Sequence, residues 1–558
     1  MFEDLEPIIH VRPFDGMGES FESLIGDVCK DLYKKDDCDE VLCDDFAIDV
    51  IKAKTQTKFL ASYIANLEPS YCVVERDYVD RDFIEDYAYY YVNCFTPYRR
   101  HCQRIHFFKK GDVCNNKTKS CKLAGEEMLC IEKILLGQAN AGDVDLCRRS
   151  LGVYLGFIVI RPLPYAVYGR VCLKALPHKE KKFVTQKVYA HLLGIPLDVD
   201  TMPFQEQDSV VAVCATIALW SAFQITGRKF IHCIPSPHRI TRMATHSVAC
   251  EPRAFPNRRG LSDDEICHAI CKVGLVPQSI DFTKLGFSVF WTEVYAYLRL
   301  GMPVILIGTI KNSKESARGD EGEENGHAIT VSGYSDPERN ARCFEATEVF
   351  QNRIQLVGEL LGKFFCHDDR IGPFSDIDRS GALQSKDFGK EFSTLNRDEY
   401  FMVEGAIVPT YHKIRLRLID FVEELAIFSD IIKNAVDAVR DEKYGKAGFC
   451  WDVYLSTDEG IKAEARDARS SFNSMCVKIV NLVLPKYIWV VDVYYNKERA
   501  ASFFVDATDI PQRVNVLFAA FFKSEFIKLV GNAIKWAQCK KADVEANAFV
   551  REILPFFT

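Results

Sequence analysis

The most apolar stretch of the chain, Leu151–Ile160 (LGVYLGFIVI), is only ten residues long and stops at Arg161-Pro162. A membrane-spanning helix needs about 20 apolar residues, so this run reads as a buried strand. Its partner is Tyr168–Leu176, reached through a proline-bearing turn (PLPYAV). The acidic start MFEDLEPIIHVRPFDG has no basic region leading into an apolar run, so it does not read as a signal peptide. The expectation is a soluble, cytoplasmic protein without a membrane partner. Its 70 Lys+Arg against 78 Asp+Glu give a net charge of −8, which speaks against a protein that coats nucleic acid. The 21 cysteines are an odd number, and their density is well below the roughly 8–10% of disulfide scaffolds. Most read as small buried apolar residues, which leaves a few for a metal and one for a nucleophile.

At roughly 100–200 residues per domain, 558 residues suggest about three domains. Residues 1–195 read as an N-terminal α+β region, 196–412 as a central domain, and 413–558 as a C-terminal α+β region. In the centre, Pro203–Asp208 is a polar lead-in to a helix of small and apolar residues, Val213–Phe223 (VCATIALWSAF). His232–Gly260 is rich in Pro, Arg, His and Ser and reads as a long loop. Ser262 and Glu265 form a capping box for a helix that ends at Gly274, and Thr292–Leu300 is a further short helix. Met302–Ile310, His327–Gly333, Phe364–Asp369 and Tyr400–Pro409 read as strands. Arg415–Arg440 reads as an amphipathic helix, and strands at Tyr487–Tyr495 and Ser502–Asp506 precede a helical tail.

Three positions carry chemistry. Cys214 opens the small-residue helix, where the positive end of the helix dipole favours a thiolate, and a nucleophilic thiol needs such a site and a partner base. His327 opens the strand HAITVSGY beside Gly326, a place from which an imidazole can act as a base at a cleft. The strand ending in FFCHDDRIGPF offers Asp368, with Asp369 next to it, to orient that imidazole.

Together FQEQD, VCATIAL, MPVILI, GHAITVSGY and a strand ending in an acid resemble the papain-like cysteine peptidases over roughly 203–410. The closest branch is the one containing bacteriocin leader-processing peptidases. The resemblance implies an α+β fold in which a papain-like domain is flanked by N-terminal and C-terminal α+β regions. It implies a hydrolase with Cys214 as nucleophile, His327 as base and Asp368 as orienting acid, Asp369 being the alternative. Cleavage of an amide or peptide bond would pass through a thioester, the substrate would be a protein or peptide, and no cofactor or metal would be needed. Members of that branch carry an oxyanion-hole glutamine six residues before the cysteine. Here Asp208 stands at that place, and Gln207 and Gln205 are the nearest candidates. The segment around Glu345–Glu359 is an extra insertion, and the transporter segments of leader-processing exporters are lacking. An acyltransferase or transglutaminase-like enzyme would use the same triad, and a scaffold protein built on a decayed peptidase is the reading from another class.

Other clusters read more simply. His101, Cys102, His106, Cys114, Cys121 and Cys130 lack zinc-site spacing. Cys267 and Cys271 read as core, and Arg239, Arg242, Arg253, Arg258 and Arg259 as a solvated basic loop. Asp506–Asp509 reads as a strand end and turn. Lys311–Gly326 has Ala317 as its only apolar side chain and reads as a mobile acidic flap over the cleft.

Overall fold

In a computed structural model, the apolar run becomes an inner strand of a five-stranded antiparallel sheet. The strands are β1 (Ile9–Pro13), β2 (Tyr71–Tyr78), β3 (Cys102–Lys109), β4 (Val153–Ile160) and β5 (Tyr168–Leu173), adjacent in that order. The expected pairing of the run with the segment after PLPYAV holds, as β4 on β5. The structure describes residues 9–14, 18–35, 38–41, 45–110, 131–137, 148–176, 180–208, 210–245, 255, 260–312, 325–336, 354–378, 391–393, 399–439, 449–467, 474–495, 498–510, 514–539 and 547–556. Among these, no helix is long and apolar enough to cross a membrane.

Helices α1 (Gly18–Tyr33), α2 (Asp45–Ala53) and α3 (Thr55–Leu67) lie with the first sheet, and α4 (Arg81–Tyr89) follows β2. Asp80 caps α4 by accepting from the N–H groups of Asp82 and Phe83. Asp82, Glu85 and Asp86 then share one face of α4 by their spacing. All three grip the central region: Asp82 accepts from Trp220 Nε1 at 2.9 Å, Glu85 from Ser236 Oγ at 2.7 Å, and Asp86 from the His238 N–H at 3.1 Å.

The central sheet is antiparallel throughout. A short strand, β6 (Lys181–Phe183), belongs to it, and the hairpin β7 (Gln186–Leu192) and β8 (Ile195–Thr201) follows. Helix α5 spans Cys214–Phe230, longer than the sequence suggests, and every side chain from Ala215 to Gln224 is buried. A helix apolar all round belongs in a core. Helix α6 (Pro237–Thr245) corrects the long-loop reading of this stretch. Pro237 fits the first helical position, and Ile240 and Ala244 recur at helical spacing on the buried side. The capping box at Ser262 is present and opens α7 (Asp263–Lys272). Strand β9 (Val276–Asp281) leads into α8 (Phe282–Arg299), which kinks at Gly286 and absorbs the short helix expected at 292–300. Strands β10 (Val304–Asn312), β11 (Asn325–Ser335), β12 (Lys363–Asp368), β13 (Gly372–Asp378), β14 (Glu391–Ser393) and β15 (Glu399–Thr410) complete the sheet. Its order is β9-β15-β10-β11-β12-β13, with β6 on β11 and β14 on β15.

The C-terminal region is an antiparallel meander of β16 (Phe449–Thr457), β17 (Tyr487–Tyr495), β18 (Glu498–Asp506) and β19 (Val516–Phe521). Helices α9 (Val422–Val439), α10 (Ser524–Cys539) and α11 (Ala548–Ile553) pack with it. It docks on α8 through Arg299, which pairs with the buried Asp452 at 2.8 Å and stacks over the Tyr454 ring. One buried apolar cluster runs from Phe14 to Ile553 and joins all three regions.

Candidate active site

The N-terminus of α5 points its first residue, Cys214, half-buried, at the end of β11. Its Val213 cap offers no side-chain hydrogen bond to the first turn, so the N–H groups there are not consumed by a cap. The chain reaches Cys214 through a tight loop built by Asp208. One carboxylate oxygen accepts from the N–H groups of Val210, Val211 and Ala212 at 3.0, 2.8 and 2.8 Å, and the other accepts from Tyr91 Oη at 2.6 Å. The acid at the place of the oxyanion-hole glutamine therefore holds the loop before the thiol.

Glu206 faces the N-terminal region, where it pairs with Lys54 and accepts from the Tyr168 N–H at 3.1 Å. Gln205 is buried and Gln207 half-buried. Neither side chain bonds to Cys214 or His327 among the described residues.

His327 is buried on β11, opposite Gly308 of β10. It is the third residue of its strand, because backbone pairing extends two residues beyond the apolar part of the sequence. Gly326, beside it, faces open space, and no backbone approaches closely there. Close approach occurs at Gly308, where a Cβ would meet the Met402 carbonyl of β15 at 1.9 Å. The His327 ring bonds Asp368 from Nε2 at 3.2 Å, and Cys214 at the head of α5 is close enough to act on its protonation. Burial by itself would lower the imidazole pKa, but the Asp368 charge and hydrogen bond, with Cys214 and Asp369 adding to them, raise it well above the ordinary value.

Asp368 closes β12. Burial opposes its ionised form, yet the His327 charge and hydrogen bond, together with the Arg370 N–H at 3.0 Å, hold it below the usual carboxylate range. Asp369 lies farther away, with Oδ1 at 3.9 Å from His327 Nε2. Its Oδ2 is buried without a hydrogen-bond partner. Burial first, and then the Asp368 charge, push Asp369 up to about 7 against the pull of His327. Of the two candidate acids, Asp368 makes the bond.

His327, Asp368 and Asp369 also bring ligand atoms within 4.8 Å of one another, close enough for a metal ion. An ion there would have to displace the Nε2 proton that Asp368 accepts. Of the irregular Cys/His group in the N-terminal region, His106 spends Nδ1 on Tyr154 Oη at 2.8 Å and faces Glu75 with Nε2. Cys114, Cys121 and Cys130 lie outside the described residues, as do Arg253, Arg258, Arg259, most of the Lys311–Gly326 flap and the Glu345–Glu359 segment up to residue 353. Arg239 pairs with Glu85, and Arg242 lies over Tyr89. Asp506 accepts from the Thr508 N–H and hydroxyl, a turn as the sequence suggests.

Sequence reasoning saw Asp208 only as a departure from the expected glutamine and missed Lys54 and Gln56. Gln56 donates from Nε2 to the Asp369 carbonyl at 2.9 Å, a contact across 313 residues that leaves no local signal. Comparison with known proteins adds nothing to the geometry: no family model and no curated protein matches the sequence.

Proposed function

We propose that the protein is a thiol hydrolase, a peptidase of papain-like arrangement, whose nucleophile is Cys214. The observation that carries this is His327, which bonds the Asp368 carboxylate at 3.2 Å while the thiol at the head of α5 lies close enough to add to the upward shift of its pKa. Carboxylates that raise the pKa of a buried imidazole favour the imidazolium, the natural partner of a thiolate.

In the proposed reaction, Cys214 Sγ attacks the carbonyl carbon of an amide in a protein or peptide. The oxyanion forms at the start of α5, where the Cys214 N–H and the positive end of the helix meet it. The C–N bond breaks, the amine leaves with the proton from His327, and a thioester remains on Cys214. Water then gives its proton to His327 and attacks the thioester, the C–S bond breaks, the carboxylic acid leaves, and the Cys214 thiolate and His327 imidazolium are restored. Asp368 keeps the ring oriented throughout. Gln205 and Gln207, in the segment that leads to Cys214, are the candidate side-chain amides to help the oxyanion.

Alkylation of the folded protein with iodoacetamide at neutral pH, followed by peptide mapping, tests the assignment. Cys214 is expected to be marked first among the 21 cysteines. Faster labelling of several other cysteines, with Cys214 left intact, would overturn it.

A further inference from the structure

We infer that the corner between α2 and α3 is part of the catalytic apparatus, with Lys54 and Gln56 as positioning residues for the nucleophile and the acid; this rests on the thiol-hydrolase reading. The two side chains are two residues apart and reach opposite walls of the site. Gln56 donates to the Asp369 carbonyl at 2.9 Å, in the turn that presents Asp368 to His327. Lys54 pairs with the Glu206 carboxylate and also donates to the Tyr165 carbonyl at 2.9 Å. Glu206 lies between Gln205 and Gln207 in the segment that delivers Cys214, and its own carbonyl accepts from the buried Arg161 at 2.9 Å. One corner of the N-terminal region thus fixes both the lead-in to the thiol and the acid turn.

Packing along α3 points the same way. Phe59 fills the space beside Gly372, where a Cβ would come within 2.3 Å of its ring. Tyr63 stacks on Phe374 at 6.2 Å, directly after the acid turn. The turn is therefore held by β13 on one side and by a helix some three hundred residues earlier in the chain on the other. This matters because Asp368 Oδ1 serves both His327 and the Arg370 N–H. A small rotation of the turn trades one bond for the other. A displacement near 1 Å at a reacting constellation can cost about 10²-fold in rate.

The test uses the full-length protein and six variants: Gln56→Ala, Gln56→Glu, Gln56→Arg, Lys54→Met, His327→Asn and, as a packing control in the C-terminal meander, Phe503→Leu. Gln56→Glu keeps the shape but replaces the amide donor by a carboxylate, so it carries the test if Gln56→Ala fails to fold. The readouts are kcat and KM separately, Tm, and the pH dependence of Cys214 alkylation. Gln56→Ala and Gln56→Glu are expected to lower kcat by about 10–100-fold with little change in KM. They should also move the alkylation curve to higher pH, because His327 is held less firmly as the imidazolium. Lys54→Met should lower kcat in the same way, and Phe503→Leu should lower Tm without moving the curve. Gln56→Arg, which restores a long donor, should recover part of the shift. Gln56 and Lys54 variants with unchanged kcat and an unmoved curve would overturn the inference. Failure of the underlying reading looks different: His327→Asn would then leave the wild-type alkylation curve where it is.

Discussion

His327 and His367 stand on adjacent antiparallel strands of one sheet, each nearly sealed from water at 7% and 4% exposure. His367 donates from Nε2 to the Met202 carbonyl at 2.9 Å and accepts at Nδ1 from the Phe374 N–H at 3.2 Å. Both nitrogens are spent on backbone in a pattern only the neutral ring can satisfy, and burial pushes its pKa down to about 4. His327 has carboxylates where His367 has peptide groups, and its pKa moves up. Burial alone therefore does not distinguish a structural histidine from a reactive one. The charge of the groups that meet the ring does, and the thiol at the head of α5 gives the charged ring something to work on.

The comparison breaks most visibly in turnover. Cys214→Ala should abolish it, and His327→Ala should lower it by about 10²–10⁴-fold. His367→Leu should leave the activity of the folded fraction within a few-fold of wild type, as measured against active-site titre. Equal losses at the two histidines would remove the distinction. Asp368→Asn keeps a hydrogen-bonding group but withdraws the charge, and a loss of about 10²-fold is expected. Asp369→Asn should cost much less, because Asp369 stands back from the ring. A reversed order would make Asp369 the orienting acid.

Stability sharpens the contrast from the other side. His367→Leu leaves the Met202 carbonyl and the Phe374 N–H unpaired in the core, for a loss of about 2–4 kcal/mol in denaturant unfolding. The pH dependence is smaller and of opposite sign at the two rings. His367 binds its proton less readily folded than unfolded, so between the ordinary histidine range and about 4 stability falls as pH falls. The His327 contribution is fully present below the ordinary histidine pKa and is lost as pH rises through its raised folded value. Removing His367 should flatten the acid side of the wild-type stability curve, and removing His327 should alter the alkaline side. The same change at both positions would contradict the assignment of the two shifts.

Much of this site could be read before the fold was known. Cys214 is marked by the small residues that follow it, Ser262 and Glu265 by their spacing, and the central strands by apolar runs of strand length. Those signals are local, because helix starts and strand burial depend on residues a few places apart. The corner that holds the site is not local. Lys54 and Gln56 look like ordinary polar residues between two helices, and only the tertiary fold brings them to Glu206 and Asp369. Asp208 was visible as a departure from the expected glutamine. Its work of gathering three N–H groups depends on a loop geometry that residue types alone do not specify. The meander strands β16 and β19 carry aromatic and β-branched runs but no turn signal strong enough to separate them from their surroundings.

The central claim is that His327 is charged because it faces carboxylates and that it shares this charge with the Cys214 thiol. The most direct measurement is the ultraviolet absorbance of the thiolate in full-length protein, titrated in the wild type, Cys214→Ala and His327→Asn. The account predicts a thiolate signal in the wild type that is absent from Cys214→Ala and displaced in His327→Asn. A wild-type trace indistinguishable from that of Cys214→Ala, or one that His327→Asn leaves in place, would contradict it.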